Sequence, residues 1–327
     1  MKTLKEIYQD NEEHNFIDSS LYSRYRVKAG LRNENGTGVK VGLTKICDVI
    51  GYKIIHEKKY DIDGQLIFRG YPINYLVNKQ PSDKICGFEE TAYLLIFGTL
   101  PNAEQLKEFK DYLLNFKMGP VDLQYETPNI LNALQIEVLK LYAKDPSADT
   151  DDLEERMMKG LNILASIPLF TFSYARNKVF KSYPYPDRSL AENILCMARG
   201  NDQYTFEEAK IMDTLLMVHA DHGGGNNSTF ANVVISSTGT DIYSCISAAI
   251  GSLKGPKHGG ANCKVTNMFN AIFHEVGFTT DKTTLKKIAN RLLDKDFFDH
   301  SGLIYGIGHA IYTKSDPRAL LIQKQCK

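Results

Sequence analysis

Four of the eight histidines, all of them after residue 218, stand in settings that suit chemistry. His219 and His222 sit in MVHADHGGGNNST, where an apolar helical run ends. His258 sits in LKGPKHGGAN and His309 in YGIGHAIYTKSDPRA. Glycines beside the last two let a ligand approach the backbone closely. An imidazole donates to a carbonyl or enolate oxygen, and both its charge states are accessible near neutral pH. Arg318, in SDPRA, offers the planar fork that grips a carboxylate. Several histidines and an arginine together suit a small polycarboxylate with a reactive carbonyl. On residue types alone the reading is an anion-binding enzyme and nothing narrower. A structural reading stands beside it, because an i,i+3 histidine pair at a helix end also serves as a cap or dipole partner. Zinc would take His219 and His222 with Asp221 or His258 as a third ligand. HEXXH and a cysteine pair are both missing, so no metal is expected.

The elements that must position these residues read as helices. Glu89, Glu90 and AYLLIF lead to a break at GTLP. Asn102 with Gln105, Ser189 with Glu192 and Thr205 with Glu208 each form a capping-box pattern ahead of an apolar run. Ile130, Leu134, Val138 and Leu141 follow a 3.6-residue period. A long helical segment from Asp151 to about Lys178 contains Pro168, which should kink or split it. Small residues in ISAAIGSL allow close helix packing. Lys254–Asn262 reads as a loop, with helices from about Val265 to Val276 and from Thr280 to Leu293. Asp63-Gly64, between short apolar runs in Tyr60–Ile73, reads as the turn of a hairpin. Residues 1–40 read as a short helix followed by an irregular arm.

Lysine plus arginine and aspartate plus glutamate both number 39, for a net charge of +0. That balance gives no reason to expect nucleic acid or an anionic membrane as partner. The N-terminal residues lack the apolar core of a signal peptide, and no run reaches membrane-spanning length. The six cysteines show no CxxC pair and read as buried thiols in a reducing cytoplasm.

DGQLIFRGYPI (63–73), FEETAYLLIFG (88–98), HADHGGGNNST (219–229), LKGPKHGGAN (253–262) and GIGHAIYTKSDPRA (306–319) together resemble the citrate synthase family, with GGGNNST of the bacterial type. The resemblance implies an all-α, multi-helical two-domain fold with one small N-terminal β-hairpin. It implies a large domain over residues 1–256 and a partial small domain over 257–327. The activity implied is acyl transfer, in which acetyl-CoA and oxaloacetate condense and water releases citrate and CoA in the tricarboxylic acid cycle. His258 would stabilise the acetyl-CoA enolate. His309 would polarise the oxaloacetate carbonyl. His222 and Arg318 would bind oxaloacetate, and Gly306, Ile307, Gly308 and Lys314 would contact CoA. His219 would be structural. No tightly bound cofactor is implied, acetyl-CoA being a cosubstrate, and the family forms homodimers.

The resemblance departs at the C-terminus. The family's base is an aspartate well downstream of the GHA motif, whereas 18 residues follow His309. Asp316, the nearest carboxylate, belongs to the DPR motif. The expectation is therefore a C-terminally truncated chain with poor or no turnover. Thr313 stands at a familiar arginine position, with Lys314 beside it. A 2-methylcitrate synthase acting on propionyl-CoA is the neighbouring reading, since one methylene changes binding by only about 1–3 kcal/mol. A non-catalytic helical binding or oligomerisation protein is the alternative of a different class.

Overall fold

The computed structural model describes residues 18, 20–25, 44–56, 58–119, 121 and 127–326. The chain divides into two compact units, Met1–Leu43 and Thr44–Lys327. In the first, Ser20–Arg24 forms a short helix, α1; the expected irregular arm lies outside the described residues.

The second unit opens with a three-stranded antiparallel sheet, β1 (Cys47–Ile55), β2 (Lys58–Phe68) and β3 (Tyr71–Pro72), in the order β1-β2-β3. Cys47 pairs with Phe68 and Ile50 with Gln65, and an irregularity that sets Ile62, Asp63 and Gly64 of β2 against Gly51 of β1 shifts the register before Tyr52 pairs with Asp61. The hairpin is present, but Asp63-Gly64 is not its turn. Both residues lie inside β2, and the chain reverses at His56 and again at Arg69-Gly70. Arg69 and Gly70 both adopt positive φ, at 48° and 88°, as a tight two-residue reversal requires. Gly64 serves close packing instead.

Helices make up the rest. They are α2 (Ile73–Asn78), α3 (Gly87–Phe97), α4 (Ala103–Leu114), α5 (Ile130–Tyr142), α6 (Leu153–Arg176), α7 (Leu190–Arg199), α8 (Phe206–His219), α9 (Asn227–Ser236), α10 (Ile242–Leu253), α11 (Ala261–Val276), α12 (Lys282–Leu293) and α13 (Pro317–Gln325). All three capping boxes form, at Asn102, Ser189 and Thr205, each with the side chain accepting from the N3 amide and the N3 side chain returning to the cap amide. α6 runs through Pro168 as one helix and is not split. α11 starts at Ala261, four residues earlier than the sequence suggests.

The main core joins the sheet to the helices through Leu66, Phe68, Leu76, Leu94, Leu113, Leu169 and Met197. Tyr312 and Leu321, near the C-terminal end, belong to the same core. Met268, Ile288 and Leu292 form a separate cluster on α11 and α12.

Two buried carboxylates tie three helices together. Asp213 on α8 accepts from the backbone amides of Gly87 and Phe88 at 2.9 Å each, at the N-terminus of α3. Glu89 on α3 accepts from the Leu190 amide at 2.7 Å, at the N-terminus of α7. Both carboxylates meet the positive end of a helix dipole. Of the cysteines, Cys47, Cys196 and Cys245 are buried as expected, whereas Cys263 and Cys326 are exposed.

Candidate active site

α8 carries His219 as its last residue and delivers His222 three residues on. The two histidines do different work. His219 Nδ1 lies 2.7 Å from the Leu215 carbonyl, one turn back on its own helix, so it donates there and holds the helix end. His222 Nε2 lies 2.9 Å from His309 Nε2, which comes from 87 residues further along the chain. The rings meet edge to face with centroids 4.9 Å apart. His219 and His222 therefore do not converge as a ligand pair.

The hydrogen bonds fix the proton positions. His309 Nδ1 receives the backbone amides of Ile311 and Tyr312, both at 3.1 Å. A nitrogen that accepts cannot carry the proton, so the His309 proton is on Nε2. That Nε2–H donates to His222 Nε2, which places the His222 proton on Nδ1. His222 Nδ1 is buried and has no hydrogen-bond partner among the described residues. The relay thus begins at two backbone amides and ends on an unsatisfied donor, as a site awaiting an acceptor would. Burial, with Arg318 and His309 nearby, pushes the His222 pKa down to about 3, so the ring is neutral at physiological pH.

Arg318 lies on the first turn of α13, which Asp316 caps by accepting from the Arg318 amide at 2.9 Å. The guanidinium also grips Asp316 in a fork, with Nε at 3.0 Å from Oδ1 and Nη2 at 2.7 Å from Oδ2. Burial works against the Asp316 charge, but the Arg318 bonds prevail and hold its carboxyl below the ordinary range. Arg318 is positively charged and half-buried, and its Cζ is 5.9 Å from the centre of the Tyr312 ring.

His258 stands in the loop between α10 and α11. Its Nε2 is 2.8 Å from Ser228 Oγ on the first turn of α9, and burial lowers its pKa. The glycines after it have a local reason as well. A Cβ on Gly260 would lie 2.3 Å from the Lys254 carbonyl oxygen, so the turn closes on the end of α10 only without a side chain. Gly306 and Gly308 adopt positive φ, at 86° and 97°. Between them Ile307 is 78% exposed, and Lys314 is exposed too. Among the described residues, no hydrogen bond joins these four to His222.

Two partners carry no obvious mark in the sequence. Ser228 is one of several small polar residues after the glycines, and Tyr312 stands in a mixed stretch. Tyr312 stacks on His309, with centroids 4.6 Å apart and ring planes 24° apart, and meets His222 edge-on at 5.8 Å.

The family model described as "Citrate synthase, C-terminal domain" matches residues 32–327. The chain belongs to the citrate synthase family. A citrate synthase of Haloferax volcanii is 35% identical over 278 residues, which cover 79% of this chain and 66% of the relative. The 2-methylcitrate synthase 1 of Corynebacterium glutamicum is 31% identical over 274 residues, covering 80% of this chain and 67% of the relative. This chain therefore spans about two thirds of the length of these family relatives. The crystal structure of citrate synthase from Thermotoga maritima superimposes with a TM-score of 0.66 at 28% identity, covering 91% of this chain and 72% of the other. The mostly helical fold with a small sheet is thus the family's own.

Proposed function

We propose that this chain carries the oxaloacetate-binding part of a citrate synthase, and that the enzyme it represents condenses acetyl-CoA with oxaloacetate and hydrolyses the product to citrate and CoA. The observation that carries the proposal is the contact of His222 with His309 beside Arg318, ending on the unpartnered Nδ1–H of His222. An α-keto dicarboxylate supplies what that site lacks. Its oxygens accept from the free imidazole N–H, and a carboxylate suits the Arg318 guanidinium. His309 Nε2–H is held by His222 in the ligand-free state. It polarises the keto carbonyl once the substrate takes the place of the His222 acceptor. His258, kept in orientation by Ser228, faces the developing enolate oxygen of acetyl-CoA in this reading. The loop at Gly306, Ile307 and Gly308, with Lys314, takes the CoA moiety. Asp316 is engaged by Arg318 and is not assigned as base.

The separate cluster of Met268, Ile288 and Leu292 supports a small domain beginning near residue 257, with Tyr312 and Leu321 returning to the large one. α9 leaves Val233 and Val234 56% and 48% exposed, which supports pairing of two copies through this face. No described helix is long and apolar enough to cross a membrane, and we place the protein in the cytoplasm.

Thiol release from acetyl-CoA, with and without oxaloacetate, tests the activity. Slow or no release is expected from this chain alone and oxaloacetate-dependent release from an enzyme that also carries the family's downstream aspartate; release indifferent to oxaloacetate would overturn the assignment. The 31% identical 2-methylcitrate synthase makes propionyl-CoA the second substrate to compare. A rate favouring propionyl-CoA would move the assignment to that reaction.

A further inference from the structure

We infer that Tyr312 is a positioning residue of this site: its ring and backbone amide set the proton pattern of the His309–His222 pair, and the β1–β2 hairpin holds it in place. The inference rests on the reading of that pair as the ligand-binding centre. Four contacts converge on the one residue. Its ring stacks on His309 and meets His222 edge-on. Its backbone amide donates to His309 Nδ1. Its hydroxyl donates to the Gln65 carbonyl on β2 at 3.2 Å. Tyr312 is only 5% exposed, and burial raises the phenol pKa, so the hydroxyl remains a donor.

The hairpin is shaped to receive this segment. A Cβ on Gly51 would lie 2.2 Å from the Ile311 carbonyl oxygen and 3.1 Å from Tyr312 Cα. A Cβ on Gly64 would lie 2.2 Å from the Ser315 carbonyl oxygen and 2.6 Å from Tyr312 Cδ1. The Gly64 amide donates to Ser315 Oγ at 3.2 Å, and Ser315 Oγ donates to Asp63 Oδ1 at 3.3 Å. Both strands thus carry glycine where residues 311–315 press on them. This explains why Asp63-Gly64 is found inside a strand. The extra residues of β2 opposite Gly51 fall at the same contact.

The consequence is chemical as well as mechanical. A flat ring against His309 resists rotation of the imidazole, and the two amides exclude a proton from Nδ1. His222 is then forced into the Nδ1–H tautomer, the less common one for a free histidine side chain. Losing the ring would remove the stack that resists rotation of His309, weaken the Nε2–Nε2 bond and let His222 shift toward the commoner Nε2–H form.

Nitrogen chemical shifts of histidines in the 15N-labelled chain at pH 7.5 read this directly. In the unaltered protein His309 is expected as Nε2–H and His222 as Nδ1–H. Tyr312→Phe keeps the stack and the amide and should retain both. Tyr312→Leu should shift His222 to a mixture dominated by Nε2–H. Either His222 protonated on Nε2 in the unaltered protein, or an unchanged Nδ1–H signal in folded Tyr312→Leu, would overturn the inference. If Tyr312→Leu does not fold, Gly64→Ala carries the comparison, because its methyl crowds both the Ser315 carbonyl oxygen and the Tyr312 ring; an unchanged His222 signal in a variant whose Tyr312 ring signals have moved is equally fatal. Oxaloacetate titrated into the same samples keeps the two proposals apart. The expected tautomers without oxaloacetate binding would defeat the functional reading and leave the positioning role standing.

Discussion

Glu89→Gln should remove a pH dependence of stability that arises inside the helical core. Glu89 is fully buried, and its Oε2 has no hydrogen-bond partner among the described residues. Burial, and then the nearby Asp213 carboxylate, push its pKa up to about 7 from an ordinary 4.5. Asp213, raised by its own burial but accepting from two backbone amides, keeps the better claim to the negative charge. Cys86, Tyr183, Glu90, Glu192 and Lys110 also face the pair, and only Lys110 favours its ionisation. The sign follows from proton binding. Between pH 4.5 and about 7 the folded protein holds a proton that the unfolded chain has lost, so stability falls as pH rises through that window. The slope for one proton is about 1.4 kcal/mol per pH unit, and the change across the window is on the order of 3 kcal/mol. Glutamine keeps an acceptor for the Leu190 amide but cannot ionise. Its amide group costs about 1–3 kcal/mol at all pH values if unpaired. Urea midpoints by circular dichroism at pH 4.5, 6, 7 and 8 separate these effects. Stability of the variant relative to the unaltered protein should rise across the series by roughly 3 kcal/mol. Parallel curves would show that Glu89 does not hold the proton, and would refute the reasoning.

Two further substitutions test the site and its support. Arg318→Lys replaces a fork by a point charge, loses the bidentate grip on Asp316 and should weaken oxaloacetate binding by about ten-fold or more, since each lost charge-assisted hydrogen bond is worth about 1.5–3 kcal/mol. Calorimetry reads this, and unaltered affinity would remove Arg318 from the site. Gly51→Ala forces a methyl against the Ile311 carbonyl and should cost about 1–3 kcal/mol in urea stability, whereas a neutral effect would mean the hairpin does not press on residues 311–315 in solution.

Much of the fold is legible from local chemistry. The capping boxes at Asn102, Ser189 and Thr205 are short-range patterns in which the residue that starts the helix and the one that answers it lie within one turn, so sequence suffices. Asp63-Gly64 misleads because its glycine answers a residue some 250 positions away: Gly64 meets Ser315, and no local rule contains Ser315. Pro168 misleads in the opposite direction, its breaking tendency being overridden inside a helix whose flanks Leu161, Ala165 and Leu169 are buried in the core. The histidine motifs stand out by their glycine-rich settings, but the pairing of His222 with His309 spans 87 residues and is a property of the fold. Nothing in the local sequence sets Glu89 or Asp213 apart from the other carboxylates on helices. Only packing brings each to a helix N-terminus and buries both.

We propose that His222, His309 and Arg318 form one site for oxaloacetate. Calorimetric titration of oxaloacetate into the chain and into His309→Ala tests it most directly. Saturable 1:1 binding to the unaltered chain and at least a ten-fold loss in the variant are expected, because removing His309 strips His222 of its partner and the substrate of its carbonyl donor. Equal affinity in the two proteins would contradict it.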